Sequence, residues 1–234
     1  TWTLIQLPAG IMLPTAKRPR LEDSGPRLDP YSFQVVFLVD ASGSMSMRDV
    51  ESSTSGRIRR IDAVFDAIGC FGEALLGLDG VACSIAIFNN SHYFAMRSQK
   101  VGINFGQQLR EVQAAVNPSG GGLYLRALQA LREAVSPSSV TVGILLSDGV
   151  PLEDMRDSDC AGNPHRARVF DLMQAIRTEM GSRCVLHTVG FGDFSPDCLQ
   201  ALAQTGGGTF HDNRQLEATA LRNTFRRLFG KISL

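Results

Sequence analysis

Beyond its first thirty residues the chain alternates between two rhythms of apolar and polar positions. Near-continuous apolar runs at 35–39, 81–88, 140–146 and 184–189 predict strands buried on both faces. The first run, Val35-Val36-Phe37-Leu38-Val39, carries three β-branched residues and stops at Asp40. Residues 92–96 follow the second run after Asn89-Asn90-Ser91, a spacing short enough to predict an antiparallel hairpin with a short edge strand. Thr209-Phe210-His211 leads a last strand. Between these runs, apolar residues recur at three- and four-residue spacing. Ile58, Ile61, Phe65, Ile68 and Leu75 form one stripe, ended by Gly77 and Gly80. Tyr124, Ala127, Leu128, Leu131 and Val135 form another. Val169, Leu172, Met173, Ile176 and Met180 form a third, ended by Gly181. Shorter helices are predicted over 105–116 and 196–203, and a closing helix over 216–229 turns Leu221, Phe225 and Leu228 inward. Residues 49–56, polar and Ser-rich, are read as a loop, as are 117–122.

Strands alternating with helices predict an α/β domain whose mostly parallel sheet is covered by helices on both faces, with one antiparallel edge strand. The domain is expected over residues 31–234. Residues 1–30 carry five prolines and no sustained period, which predicts a disordered extension. Within it, Lys17-Arg18-Pro19-Arg20 resembles a monopartite nuclear-localisation signal, and a solvated basic linker accounts for it equally well.

Composition narrows the function classes. Twenty-three basic and 23 acidic residues leave a formal net charge of zero, so no whole-protein field favours nucleic acid or a membrane surface. No stretch of about twenty apolar residues offers a membrane span. Five cysteines, an odd number, make no zinc spacing; Cys83 and Cys184 fall inside strand-like runs. A reduced, intracellular protein is expected, in the cytoplasm, with the nucleus left open by the basic cluster.

The candidate chemistry lies where two buried strands end. Asp40-Ala41-Ser42-Gly43-Ser44 places one carboxylate and two hydroxyls just past the first strand, and Ser147-Asp148-Gly149 places a second carboxylate past a later one. Ligands of open α/β sheets bind outside the carboxyl ends of strands. Oxygen donors without His or Cys suit Mg²⁺ or Mn²⁺. The acidic residues Glu153, Asp154, Asp157 and Asp159 would then form part of the site's rim, or plain solvated surface. His92 is read as a turn histidine rather than a ligand.

Asp-x-Ser-x-Ser behind a buried strand, the Leu-Leu-Ser-Asp-Gly run, His187-Thr188-Val189-Gly190-Phe191-Gly192 and the Gly-Gly-Gly-Thr-Phe-His ending resemble the von Willebrand factor A family over about residues 31–230. The resemblance implies a Rossmann-like doubly wound, six-stranded sheet of order 3-2-1-4-5-6 and a metal-ion-dependent adhesion site (MIDAS). In it Ser42 and Ser44 would bind Mg²⁺ or Mn²⁺ directly, and Asp40 and Asp148 directly or through water. A partner protein's Asp or Glu would complete the shell. The family's fifth member, a Thr, is missing. Counting back from Ala127-Leu128, its position falls at Gly122, or at Leu123 in a shifted register. Ser119 is the nearest substitute hydroxyl, and Thr209 is a decoy that should lie at the amino end of the sheet. Weak metal binding is therefore expected.

The resulting expectation is a non-enzymatic protein-interaction module, with a metal-free scaffold in a larger assembly as the alternative. A phosphohydrolase of the haloacid dehalogenase type fits less well, because Ser42 stands where that chemistry needs a general acid. No Gly-x-Gly-x-x-Gly follows the first strand, which disfavours a dinucleotide enzyme. Removing the chain up to Asp29 should leave the melting temperature nearly unchanged; a fall of many degrees would show that this segment docks on the domain.

Overall fold

The computed structural model describes residues 32–231 apart from 54, 77, 150–163, 193 and 195. The expected N-terminal extension, its basic cluster, Gly77 and the acidic residues 153–159 lie outside the described residues. Strand β1 (Phe33–Asp40) is followed by a 3-10 turn (Gly43–Ser46), β2 (Val50–Ser52), β3 (Gly56–Ile58) and helix α1 (Arg60–Leu75). Then come β4 (Val81–Phe88), β5 (His92–Lys100), α2 (Phe105–Ala115), α3 (Tyr124–Ala134) and β6 (Val140–Ser147). Helix α4 (Pro164–Met180), β7 (Cys184–Phe191), α5 (Pro196–Thr205), β8 (Gly207–Asn213) and α6 (Ala218–Lys231) complete the order.

Six strands form one sheet in the order β5-β4-β1-β6-β7-β8. All neighbours are parallel except β4 and β5. The expected order and the single antiparallel edge are thus present. All eight residues of β1 are buried, as are all eight of β4. The physical reason is the period of two: Val35, Phe37 and Val39 face a core shared with α1, α2 and α6, while Val36 and Leu38 face a second core shared with α3, α4 and α5. In the first core Phe37, Phe71 and Phe225 interlock, with ring centroids 5.4 to 6.1 Å apart.

Three elements differ from the sequence reading. Residues 49–56 are more than a loop: β2 and β3 pair as an antiparallel hairpin, Val50 opposite Ile58. Polar composition hid it, because one residue, Val50, supplies its buried anchor at 3% exposure. The Glu51 amide also donates to the Leu216 carbonyl at 2.7 Å, tying the hairpin to the segment before α6. Ile58 therefore ends a strand, and α1 starts at Arg60. The edge strand runs to Lys100 rather than stopping near residue 96, with register shifts and a positive φ of 46° at Ser98. Such irregularity discourages a flat edge from pairing with another chain.

Among the described residues no helix is long and apolar enough to cross a membrane. Truncating Phe37 to Ala should cost about 3–5 kcal/mol, as for other large aromatic truncations in cores. Urea unfolding of the variant tests this; a loss below about 1 kcal/mol would show that the ring is not a keystone of the first core.

Candidate metal centre at the strand-order reversal

Strand order reverses at β1, which lies between β4 and β6. Val39 pairs with Leu146, so Asp40 and Ser147 end neighbouring strands at the same edge. This is the crevice where open α/β sheets receive ligands. Past Asp40, the Ala41 amide donates to the Phe88 carbonyl at 2.8 Å and the chain turns. The Asp40 carboxylate organises that turn: the Ser42 amide donates to Oδ1 at 2.8 Å, and the Ser147 hydroxyl donates to Oδ2 at 2.7 Å. Met45, fully buried, anchors the 3-10 turn to the core. Ser42 Oγ and Ser44 Oγ are thereby brought to 3.1 Å, and Ser44 Oγ donates to Asp148 Oδ1 at 2.8 Å. All four residues predicted from the sequence meet in one cluster. Ser44 is partly exposed and forms its opening, while Asp40 and Asp148 are 1% exposed.

Arg60 belongs to the same cluster and was not singled out in the sequence. Its Nη1 donates to Asp148 Oδ2 at 2.9 Å, and its Nε and Nη2 donate to Asp49 at 3.0 and 2.6 Å. The guanidinium is nearly enclosed. Gly192, at φ +75°, passes close by; a Cβ there would stand 3.2 Å from Nη1. A local signal existed. Arg60 opens α1, and a cation at a helix N-terminus opposes the macrodipole, so its presence called for an anionic partner.

Burial sets the electrostatics. Asp40 has two hydrogen-bond donors but no cationic partner in contact, and desolvation pushes its pKa from 3.8 to about 6. The Arg60 guanidinium holds the Asp49 carboxyl below its ordinary range. Tyr124 is fully buried beneath the cluster, its hydroxyl donating to the Gly149 carbonyl at 3.2 Å, and burial raises its pKa.

The remaining sequence candidates sort clearly. Gly122, not Leu123, faces Asp40: a Cβ on Gly122 would lie 2.8 Å from Oδ2 and 3.2 Å from Oδ1. Its φ is not positive, so a side chain there is opposed by the Asp40 carboxylate rather than by the backbone. Ser119 flanks the site through its amide, which donates to Ala41 O at 2.8 Å, and its side chain is exposed. Thr209 is away from the cluster, hydrogen-bonded to His187 and His211 at 2.9 and 2.8 Å. His92 pairs with Glu133 at 3.0 Å.

The donor set fits a small hard cation. Octahedral Mg²⁺ with oxygens at 2.0–2.1 Å has ligand–ligand edges of about 2.9–3.0 Å. The Ser42–Ser44 and Ser44–Asp148 separations of 3.1 and 2.8 Å bracket that length. With ionised carboxylates, Asp40, Asp49 and Asp148 against Arg60 leave a formal charge of about −2, complementary to a dication. Among the described residues no group of three or more His, Cys, Asp or Glu stands ready to hold a metal; hydroxyls make up half of this donor set.

Comparison with known proteins agrees with the geometry. The profile of the von Willebrand factor type A domain matches residues 33–212. A von Willebrand factor type A structure from Catenulispora acidiphila superposes with a TM-score of 0.65 at 20% identity, covering 87% of this chain and 43% of that one. Proximal thread matrix protein 1 from the mussel byssus, solved with zinc in its MIDAS motif, gives 0.60 at 16% identity, covering 86% and 46%. The conserved hypothetical protein BatB from Bacteroides thetaiotaomicron gives 0.57 at 13% identity, covering 85% and 98%. This chain thus spans less than half the length of the first two, and at these identities the likeness is one of fold. No curated protein sequence matches it.

The raised Asp40 pKa makes a signed prediction. Its folded value, about 6, exceeds the reference 3.8, so the folded state takes up a proton first as pH falls. That contribution to stability is complete below 3.8 and vanishes as pH rises through about 6. Asp40→Asn lacks it. Between pH 4 and 7 the stability difference between wild type and Asp40→Asn should change by up to about 3 kcal/mol, wild type gaining toward pH 4. Urea unfolding at both pH values measures this; a pH-independent difference would contradict it.

Proposed function

The chain belongs to the von Willebrand factor type A domain family, and from that premise we propose that it is a protein-interaction module gripping a partner's acidic side chain through a divalent cation. The observation that carries this reading is the convergence of Ser42, Ser44, Asp40 and Asp148 at the strand-order reversal. Ser42 and Ser44 would hold Mg²⁺ or Mn²⁺ by their hydroxyls and Asp148 by Oδ1. Asp40 would add its charge from beneath while keeping the Ser42 turn in place. The cation, when bound, supplies a positive charge with a ligand position open to a carboxylate from outside. Gly122 contributes no oxygen, so affinity for metal alone is weak. One missing hydroxyl ligand, replaced by ordered water, costs up to about 2 kcal/mol. Cys70, Cys83 and Cys184 are free thiols, which supports an intracellular setting.

A second reading, a metal-free scaffold, is favoured by the Arg60–Asp148 ion pair, which already balances one of the site's carboxylates. Calorimetry with Mn²⁺ separates the two. Wild type should bind at millimolar metal or below, and Ser42→Ala should bind about tenfold more weakly, the equivalent of about 1.4 kcal/mol. Chelator should release a partner captured from extract by wild type. Equal binding by both proteins, or none by either, would favour the scaffold.

We also propose that the domain is not an enzyme, since Ser42 cannot serve as a general acid near neutral pH. With Mg²⁺ and a panel of phosphate monoesters, wild type and Asp40→Ala should be equally inactive. Turnover abolished by Asp40→Ala would overturn both non-enzymatic readings.

A further inference from the structure

Arg60 is a cation placed inside a site shaped to receive a cation. Its guanidinium spans two carboxylates that enter from different elements: Asp49 ahead of the β2–β3 hairpin, and Asp148 after β6. Asp148 is divided between two donors. Oδ2 is taken by Arg60 at 2.9 Å, and Oδ1 is turned toward Ser44 at 2.8 Å. A purely structural ion pair would have no reason to aim the second oxygen at the serine hydroxyls. Here the bridge does two things at once. It fixes the direction in which Asp148 presents its remaining lone pairs, and it places a permanent positive charge beside the donor set.

We propose that Arg60 is a positioning residue that tunes the site: it keeps Asp148 aimed at Ser44 when no metal is present, and its charge holds the affinity for a dication low until a partner's carboxylate arrives. This rests on the metal-dependent reading above and deepens it. The argument is electrostatic. Without Arg60, the three carboxylates would leave a formal charge of about −3, and the site would bind a dication more tightly by itself. Asp148 would then lose its aim whenever the metal left, because nothing would neutralise a carboxylate that is 1% exposed. With Arg60 present, the site remains assembled when empty. An incoming carboxylate restores the negative charge that Arg60 cancels, so metal and acidic partner reinforce one another's binding.

The test uses two substitutions that break the same Arg60–Asp49 contact yet change the charge in opposite directions. Mn²⁺ is titrated calorimetrically into wild type, Arg60→Gln, Arg60→Lys and Asp49→Asn, each prepared with Mn²⁺ and then dialysed. Arg60→Gln should bind about tenfold more tightly than wild type, a modest effect for removing a unit charge close to a dication in a half-buried site. Asp49→Asn should bind more weakly than wild type, although it is not a ligand. Arg60→Lys, which keeps the charge but loses the fork that spans both carboxylates, should not show the tightening of Arg60→Gln. Melting curves compared within each protein provide a second readout. Mn²⁺ raises the melting temperature of any protein in the series that binds it; Arg60→Gln should melt lower than wild type in chelator and be raised by Mn²⁺ through more degrees than wild type. If both Arg60→Gln and Asp49→Asn weaken binding, the bridge is merely structural and the proposal is overturned. Unchanged affinity in Arg60→Gln overturns it too. If wild type binds metal, such a failure touches Arg60 alone; if no protein in the series binds, the metal-dependent reading falls with it.

Discussion

A carboxylate buried at the end of a fully buried strand is the constraint around which this domain is arranged. Asp40 ends β1, and burial makes its negative charge costly. The neighbouring chain answers that cost. The Ser42 amide and the Ser147 hydroxyl both donate to it, and in doing so they set the turn that carries Ser42 and Ser44. The same hydrogen bonds therefore solve a folding problem and build the donor set. Gly122 packs against the other side of the carboxylate, where its lack of a side chain leaves room.

The second carboxylate is handled differently. Asp148 is as buried as Asp40 but meets a guanidinium directly. Arg60 reaches it from the first turn of α1, and Asp49 holds the far side of the guanidinium. The hairpin that follows Asp49 is itself tied to the segment before α6 through Glu51 and Leu216. The charge balance at the end of the sheet is thus connected mechanically to helices on the Phe37, Phe71 and Phe225 side of the molecule. Gly192 completes the arrangement by passing close to the guanidinium at a φ that few other residues accept.

Membership of the von Willebrand factor type A family accounts for the framework. Its solved relatives share the fold at 13 to 20% identity, so most side chains have been exchanged while the sheet has not. Such tolerance is expected where buried runs need only suitable volume and the correct period. The cluster at the strand-order reversal depends instead on particular contacts among Asp40, Ser42, Ser44 and Asp148. Gly122 brings no side-chain oxygen to the cluster and Arg60 brings a positive charge to it, and the fold accommodates both.

The sheet and most of the helices were legible in the pattern of apolar positions alone. An apolar run of five to eight residues can be satisfied only by burial on both faces, and a three-four stripe only by one buried face. Asp40, Ser42 and Ser44 were legible as a unit too, since a turn brings near neighbours together whatever the rest of the chain does. The β2–β3 hairpin escaped because its pairing depends on Val50 and on a backbone contact to Leu216, which no local period records. Which distant residues share that space depends on how the elements pack. Arg60 and Asp148 are 88 positions apart, and Ser147 and Asp40 are 107. Gly122 meets Asp40 through the packing of α3 beside β1. Local patterns specify which face each residue turns inward; contacts between elements follow from strand order and helix packing, and the charge of this site is set by those contacts.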